Sequence, residues 1–410
     1  MQAIKWSTLL FGAIFVVVVA GAINAPHLYY MAAILLTLPG ISYLLGFYSL
    51  RSLQFRREPP AVAWAGEQGE LLYVVENPTR VPRYFISCRE PLPDWIEPQS
   101  EHPPIFNVSP QATSKIVYAV RFTRRGVHTL TAFESIAIDP LGVFAFGQSH
   151  PAEGEIVVYP MPEQLKSWKM SGADKYGWQE FTVIALRGSS VDPDGVRQYV
   201  PGDPLRRIHW RQTARTGNLS VIEFEDPQSI QVQLILDRQK GHNFGSEAET
   251  TFEYAVRFCA SITYQMVQQN ASVRLSNALD TTNETAVNAR GEMQLMRILD
   301  TLARVEDDTM EPISEVVNRK AGEVPRGTTL IIVTSNPDAR LGEALLLHKA
   351  QSVLCIVVYI APNTFEENRV SSEQEQLFYQ AVSSGGAKVF AVHLQTDGTL
   401  FPEGISDGSF

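Results

Sequence analysis

The sequence predicts a multi-domain protein in three parts: an N-terminal transmembrane helical hairpin, a β-sandwich, and an α/β doubly wound sheet. Three observations carry that prediction. Residues 6–50 contain no Asp, Glu, Lys or Arg. Residues 59–162 hold short apolar runs that alternate with period two between Pro, Gly and Asn breaks, the pattern of half-buried strands. Beyond Pro227, continuous Val/Ile/Leu runs alternate with amphipathic stretches, which implies a mostly parallel sheet covered on both faces. The corresponding boundaries are 1–57 for the hairpin with its basic flank, 58–165 for the sandwich, 166–226 for a linker carrying a distinctive motif, and 227–410 for the α/β domain.

The hairpin is read from two apolar runs, residues 8–23 and 28–50, joined by Asn24, Ala25, Pro26 and His27. At about 1.5 Å per residue they reach roughly 24 and 35 Å, against a hydrocarbon core of about 30 Å. The competing reading, a cleaved signal peptide before a buried helix, suffers from the length of the second run and from the lack of a small-residue cleavage site. Pro39 and Gly40 interrupt the second run and are expected to kink it. Lys5 flanks one end of the pair and Arg51, Arg56 and Arg57 the other, while the tight connection carries no charge. Both flanks therefore prefer the cytoplasm, which predicts a two-pass protein of the cell inner membrane with the bulk of the chain cytoplasmic. The three arginines suit anionic headgroups of the lipid bilayer.

In the middle region, residues 70–78, 115–123 and 126–135 are the clearest strands of a sandwich of immunoglobulin-like size. The segment Asp139-Pro140-Leu141-Gly142 reads as a turn, with Asp capping and Gly free to take positive φ. The α/β region predicts strands at 230–237, 272–278, 328–335, 353–360 and 388–394, an early edge hairpin completed by 284–289, and helices at 247–270, around Leu295 to Leu302, 338–350 and 372–383.

Charge and cysteine content exclude several functions. A formal net charge of −10 argues against nucleic-acid binding, which needs a basic excess. The three cysteines, Cys88, Cys259 and Cys355, are widely spaced with no metal-binding pattern, so they are expected as reduced core thiols. No phosphate-binding glycine loop or HExxH spelling occurs.

One stretch stands apart. Residues 197–215, RQYVPGDPLRRIHWRQTAR, place Arg206, Arg207, Arg211 and Arg215, with His209 and Trp210, in the twelve residues after Asp203. No carboxylate occurs between Pro204 and Ile222. The predicted structure is a strand ending near Tyr199, a Pro-Gly turn, and a short basic helix with Asp203 as N-cap, Pro204 in the first turn and Gly217 at its end. Two roles are open. The arginines form a docking patch for an acidic or phosphate-bearing partner, or Arg197, Arg206 and Arg215 clasp two domains together over a buried Trp210, with Asp203 and Tyr199 orienting them. His209, among like charges, reads as a packing or surface histidine.

The spelling Arg197-x-Tyr199-x-Pro201-Gly202-Asp203-x-x-Arg206-x-Ile208-x-Trp210, followed by Ala214-Arg215, resembles the signature of the domain-of-unknown-function 58 family. Arg124-Arg125-Gly126 and residues 139–144 resemble two more of its landmarks. The resemblance implies a membrane-anchored protein with a von Willebrand A-like α/β domain, associated with MoxR-type AAA+ ATPases. That fold commonly carries a metal site opening with Asp-x-Ser-x-Ser, suited to Mg²⁺. Here the equivalent stretch is Asp237-Arg238-Gln239-Lys240-Gly241, both serines are replaced, and the later loop reads Thr334-Ser335-Asn336 with Asp338 beyond it. No cofactor is therefore expected at this degenerate site, and Asp237 is expected to pair with an arginine or cap a helix. Three functions follow: a non-enzymatic module for protein–protein interaction docking such an ATPase in a chaperone-like or assembly role, an envelope-associated hydrolase, or a structural membrane scaffold.

Overall fold

The computed structural model describes residues 2–23, 26–60, 62–91, 93–100, 103–163, 193–198, 210–224, 230–246, 249–277, 291–367, 369–394 and 400–404. The chain divides into two compact units, Met1–Tyr159 and Pro160–Phe410.

The first unit opens with helices α1, Gln2–Ile23, and α2, Pro26–Ser49, which pack against each other. Helix α2 runs through Pro39. Among the described residues, one stretch, His27–Ser49, is long and apolar enough to cross a membrane. The apolar part of α1, Phe11–Ile23, is shorter.

Two sheets follow. Strands β1 (Gln54–Glu58), β3 (Gln68–Asn77), β7 (Ala112–Phe122) and β5 (Ile96–Pro98) lie in the order β1-β3-β7-β5. The second sheet, in the order β2-β9-β8-β4-β6, comprises β2 (Ala63–Trp64), β9 (Ala145–Tyr159), β8 (Gly126–Ile138), β4 (Arg83–Arg89) and β6 (Ile105–Val108). Alternation decides the packing: in β7, Ile116, Tyr118, Val120 and Phe122 point inward while their neighbours face water. With Leu71, Tyr73, Val75, Ile86, Phe133 and Val158 they form one core shared by both sheets.

This core contains a charge pair that the sequence reading missed. Arg57, read as part of a basic membrane flank, lies instead in β1 with its side chain 2% exposed. It donates to Glu90 Oε1 at 2.5 Å, to the Leu130 carbonyl at 3.1 Å and to the Ala152 carbonyl. Tyr73 Oη donates to the other Glu90 oxygen at 2.5 Å. Strand β1 begins at Gln54 and pairs with β3 from Gln54↔Glu76 onward, so the sandwich starts earlier than residue 58.

The first described elements of the second unit are a ribbon of β10 (Pro193–Gln198) against β11 (Ser220–Phe224) and, between them in sequence, helix α3, Trp210–Thr216. The main sheet has the order β15-β12-β16-β17-β18-β19. Its strands are β12 (Gln231–Leu236), β15 (Ser272–Ser276), β16 (Thr329–Thr334), β17 (Leu354–Ile360), β18 (Lys388–Leu394) and β19 (Leu400–Gly404). A short hairpin, β13 (Gly245–Ser246) and β14 (Glu249–Thr250), precedes helix α4, Thr251–Gln268. Thr250 caps α4 by accepting from the Glu253 N–H. Helices α5 (Glu292–Arg304), α6 (Ile313–Lys320), α7 (Leu341–Ala350) and α8 (Ser372–Ser384) complete the unit.

All ladders in the main sheet are parallel except β18–β19. Among the described residues the antiparallel edge stands at the C-terminal end of the sheet; residues 284–289, expected to complete an early hairpin, lie outside the described residues. Strands β16 and β17 are almost wholly buried, as expected for strands covered on both faces. The short helix α6 was also unpredicted: its buried face consists of Ile313, Val316 and Val317, too few positions to establish a period.

Candidate functional site

Strand β12 starts the sheet, and its two neighbours, β15 and β16, lie on opposite sides of it. Reversal of direction at one strand opens a crevice beyond the carboxyl ends, where α/β sheets bind ligands. Three strand ends meet there: Asp237 after β12, Asn277 after β15, and Thr334 with Ser335 and Asn336 at the end of β16.

Asp237 is buried and its two oxygens are both engaged. Oδ2 accepts from Thr334 Oγ1 at 2.7 Å and Oδ1 from the Gln239 N–H at 2.9 Å. Its own N–H donates to the Val333 carbonyl at 2.9 Å. Among the described residues no arginine pairs with Asp237: Arg238 donates from Nε to the Glu306 carbonyl at 2.9 Å and from Nη2 to Asp308. Burial pushes the Asp237 carboxyl above the ordinary carboxylate range, against the hydrogen bonds from Thr334 and Gln239. Negative charge on Asp338 adds to that upward push.

Asp338 itself is shifted the other way. Burial opposes its ionisation, but Arg340, the Ser314 hydroxyl and the Arg340 N–H together hold the carboxyl below its usual range. Ser314 Oγ donates to Oδ2 at 2.7 Å and Arg340 Nε to Oδ1 at 2.9 Å. Asp338 thus ties the start of α6 to the start of α7.

A divalent cation fits these residues poorly. Gln239 and Gly241 occupy the positions where hydroxyls would be needed, and Gln239 Oε1 already accepts from Asn336 Nδ2 at 2.9 Å. The Thr334 hydroxyl is spent on Asp237 and accepts from the Asn336 N–H at 2.9 Å. Among the described residues, no group of three or more His, Cys, Asp or Glu side chains is placed to hold a metal. The cluster is a hydrogen-bonded knot joining the ends of β12 and β16.

The basic motif is partly placed. Arg197 lies on β10, opposite Val221. Tyr199, Asp203, Arg206 and Arg207, with His209, lie outside the described residues. Trp210, Arg211 and Arg215 lie on α3 and all are exposed, Trp210 at 67%. The clasp reading expected a buried Trp210; the structure puts it on the surface. Arg211 and Arg215, four residues apart, share one side of the helix. The helix ends as expected: Gly217 takes φ +72° and its N–H closes onto the Thr213 carbonyl at 2.9 Å. The Thr213 hydroxyl accepts from the Ser220 N–H at 3.1 Å, holding α3 to the ribbon.

The three cysteines are free and buried, and burial pushes each thiol up to about 12. None is a candidate nucleophile.

The architecture defines the class of protein: an apolar helix long enough to cross a membrane, a sandwich, and a mostly parallel α/β sheet with a polar knot at its switch point. Residues 195–335 match the family described as "Protein of unknown function DUF58"; the match starts within β10 and ends at Ser335, so it takes in both the basic motif and the Asp237 knot. Uncharacterized protein YeaD of Bacillus subtilis (strain 168) is 25% identical over 300 residues, 70% of this chain and 71% of that protein. Uncharacterized proteins Mb1516 of Mycobacterium bovis and Rv1480 of Mycobacterium tuberculosis (H37Rv) are each 30% identical over 79 residues, 19% of this chain and about a quarter of theirs. Among solved structures, Salmonella alpha-2-macroglobulin reacted with methylamine aligns at 12% identity and a TM-score of 0.21, covering 80% of this chain and 17% of that one. So loose a likeness supports no argument about fold or function.

Proposed function

We propose that this chain is a membrane-anchored, non-enzymatic interaction module whose second unit docks a partner protein through the basic helix α3. The observation that carries the reading is the exposure of Trp210 beside Arg211 and Arg215. Tryptophan and arginine dominate the energetics of protein interfaces, and a solvent-facing tryptophan on a helix without carboxylates favours docking over a clasp. The second unit is read as von Willebrand A-like, on its mostly parallel sheet and the strand-end position of Asp237, with docking independent of a bound metal. The family resemblance makes the partner a MoxR-type AAA+ ATPase. Helices α1 and α2 are read as a two-pass anchor in the inner membrane, with both flanks and everything after them in the cytoplasm. Among the described residues the strand-end carboxylates do not favour the hydrolase: both oxygens of Asp237 and of Asp338 are occupied by donors from the protein itself.

The test is direct binding of a purified MoxR-type ATPase to the detergent-solubilised full-length chain. Arg211→Glu with Arg215→Glu is expected to abolish binding while leaving the denaturation midpoint in place; unchanged affinity would refute docking through α3. A reporter fused after Phe410 is expected to be active in the cytoplasm, and periplasmic activity would overturn the topology.

A further inference from the structure

The sandwich carries four exposed apolar side chains around the C-terminal end of α2. Tyr84 and Phe85 are neighbours in β4, and both face outward, 50% and 42% exposed. A regular strand would turn one of them into the core. Here the ladder to β6 slips between Arg83 and Ile86, and Phe85 takes φ +54°, with its N–H held by Asn107 Oδ1 at 3.1 Å. A bulge at a residue that resists positive φ is a device that re-aims side chains, and this one shows two successive aromatics to the surroundings. Val81, in the loop before β4, is exposed as well.

Two contacts fix where this surface lies relative to α2. Arg83 Nη2 donates to the Arg51 carbonyl at 3.3 Å, just past the helix end. Farther up, Ser42 donates to Asp139 Oδ2, and the Leu141 N–H lies 3.3 Å from the Ser42 hydroxyl. Gly46, one turn below, leaves room for no side chain, since a Cβ there would fall 2.6 Å from the Phe146 ring. The turn after β8 is therefore locked against the last two turns of α2. Exposed Leu141 sits roughly 10 Å above the helix end at about 1.5 Å per residue. The stretch of α2 above this turn, residues 27–41, measures only about 22 Å, short of the roughly 30 Å hydrocarbon core. If α2 crosses a bilayer, the span closes only with the turn immersed beside it.

We propose that the sandwich itself is seated in the headgroup–acyl boundary of a phospholipid bilayer, with Leu141, Val81, Tyr84 and Phe85 dipping in and Arg51, Arg80 and Arg83 against lipid phosphates. Aromatic side chains collect at that boundary because their rings are apolar and their edges tolerate water, and arginines beside them meet anionic headgroups. Arg51 already lies 5.3 Å from the centres of both the Phe47 and Tyr48 rings, at the same level. This inference rests on α2 crossing the membrane and adds that the sandwich is held flush to it, with no tether of free chain between them.

Depth-dependent quenching tests it on the full-length protein in phosphatidylethanolamine–phosphatidylglycerol vesicles. A fluorophore is attached to single introduced cysteines, the buried native thiols staying unlabelled. Nitroxide lipids carry their spin either near the headgroup or near the chain end. Phe85→Cys, Tyr84→Cys and Leu141→Cys are expected to lose most of their emission to the shallow nitroxide, and Ile34→Cys to the deep one. Val117→Cys, exposed on the outer face of the other sheet, should lose emission to neither. If positions 84, 85 and 141 behave like 117 while 34 is quenched, the seated sandwich is overturned and the spanning helix stands. If 34 escapes both nitroxides, the spanning helix falls and the inference with it. Protection of 85 and 141 from aqueous iodide without nitroxide quenching would assign the surface to a second copy of the chain instead.

Discussion

Arg57 and Trp210 exchange the environments that their local sequences suggest. Arg57 follows another arginine a few residues beyond an apolar helix, where a headgroup-facing charge is the natural expectation. Yet it is sealed inside the sandwich with Glu90, Tyr73 and two carbonyls. Trp210, a residue that usually goes inside, stands on the surface of a helix rich in arginine. The difference shows what decides burial. A guanidinium enters a core only where acceptors from several segments already converge on its five donors, and here they come from the residue after β4 and from β8 and β9. Trp210 stays outside, on a helix whose one hydrogen bond to the ribbon among the described residues comes through Thr213.

The largest way to break this comparison is to remove one member of the buried pair. Glu90→Ala leaves the Arg57 charge in the core without its carboxylate and should cost about 3–5 kcal/mol, read from denaturant midpoints of the full chain in detergent. Arg57→Met combined with Glu90→Leu removes both charges at once and should recover most of that loss. The remainder reflects the carbonyls of Leu130 and Ala152 and the Tyr73 hydroxyl, left without partners. If Glu90→Ala costs no more than a surface change, Arg57 is the membrane-flank residue its local sequence suggested.

Most strands were legible because their alternation or apolar continuity is a local property. The turn at residues 139–142 was legible too: Gly142 takes φ +64° and its N–H closes onto the Asp139 carbonyl at 2.9 Å. What stayed hidden was long-range pairing. Nothing near Asp139 names Ser42 as its partner, and nothing near Asp237 selects the Thr334 hydroxyl over the adjacent Arg238. Those choices are made by which strands become neighbours. Glu90, an acid directly after the strand-like segment Tyr84-Phe85-Ile86-Ser87-Cys88-Arg89, was the one sequence signal for the buried pair. Strand β19 was missed because residues 400–404 contain a proline, a glycine and a glutamate, and edge position makes that composition tolerable.

A smaller effect separates the two carboxylates near the strand ends, Asp237 buried and Asp338 half-buried. Asp338, held below its ordinary range, contributes stability that is present above about pH 4 and lost as pH falls through its folded value. Asp237, held above its range, acts with the opposite sign: stability declines as pH rises from about 4 through its raised folded value, then levels off. In midpoint-against-pH profiles, Asp338→Asn should remove part of the acid loss and cost about 1 kcal/mol at neutral pH, modest because Arg340 is largely exposed. Asp237→Asn should flatten the decline on the other side. Profiles that shift in the same direction for both variants would show that the two environments are not opposed.

The smallest stability effect carries the largest functional consequence. Trp210→Ala removes a side chain that is mostly in solvent, so the denaturation midpoint should move by no more than about 0.5 kcal/mol. A clasp packed over Trp210 would instead lose several times that amount, because truncating a buried tryptophan costs about 3–5 kcal/mol. If α3 is a docking surface, the same substitution should weaken binding of the ATPase tenfold or more, about 1.4 kcal/mol. The two measurements together locate the tryptophan's energy either within the chain or across an interface. A stable variant with unaltered affinity would remove Trp210 from both roles and leave any docking to the arginines, whose charge reversal then becomes the decisive comparison.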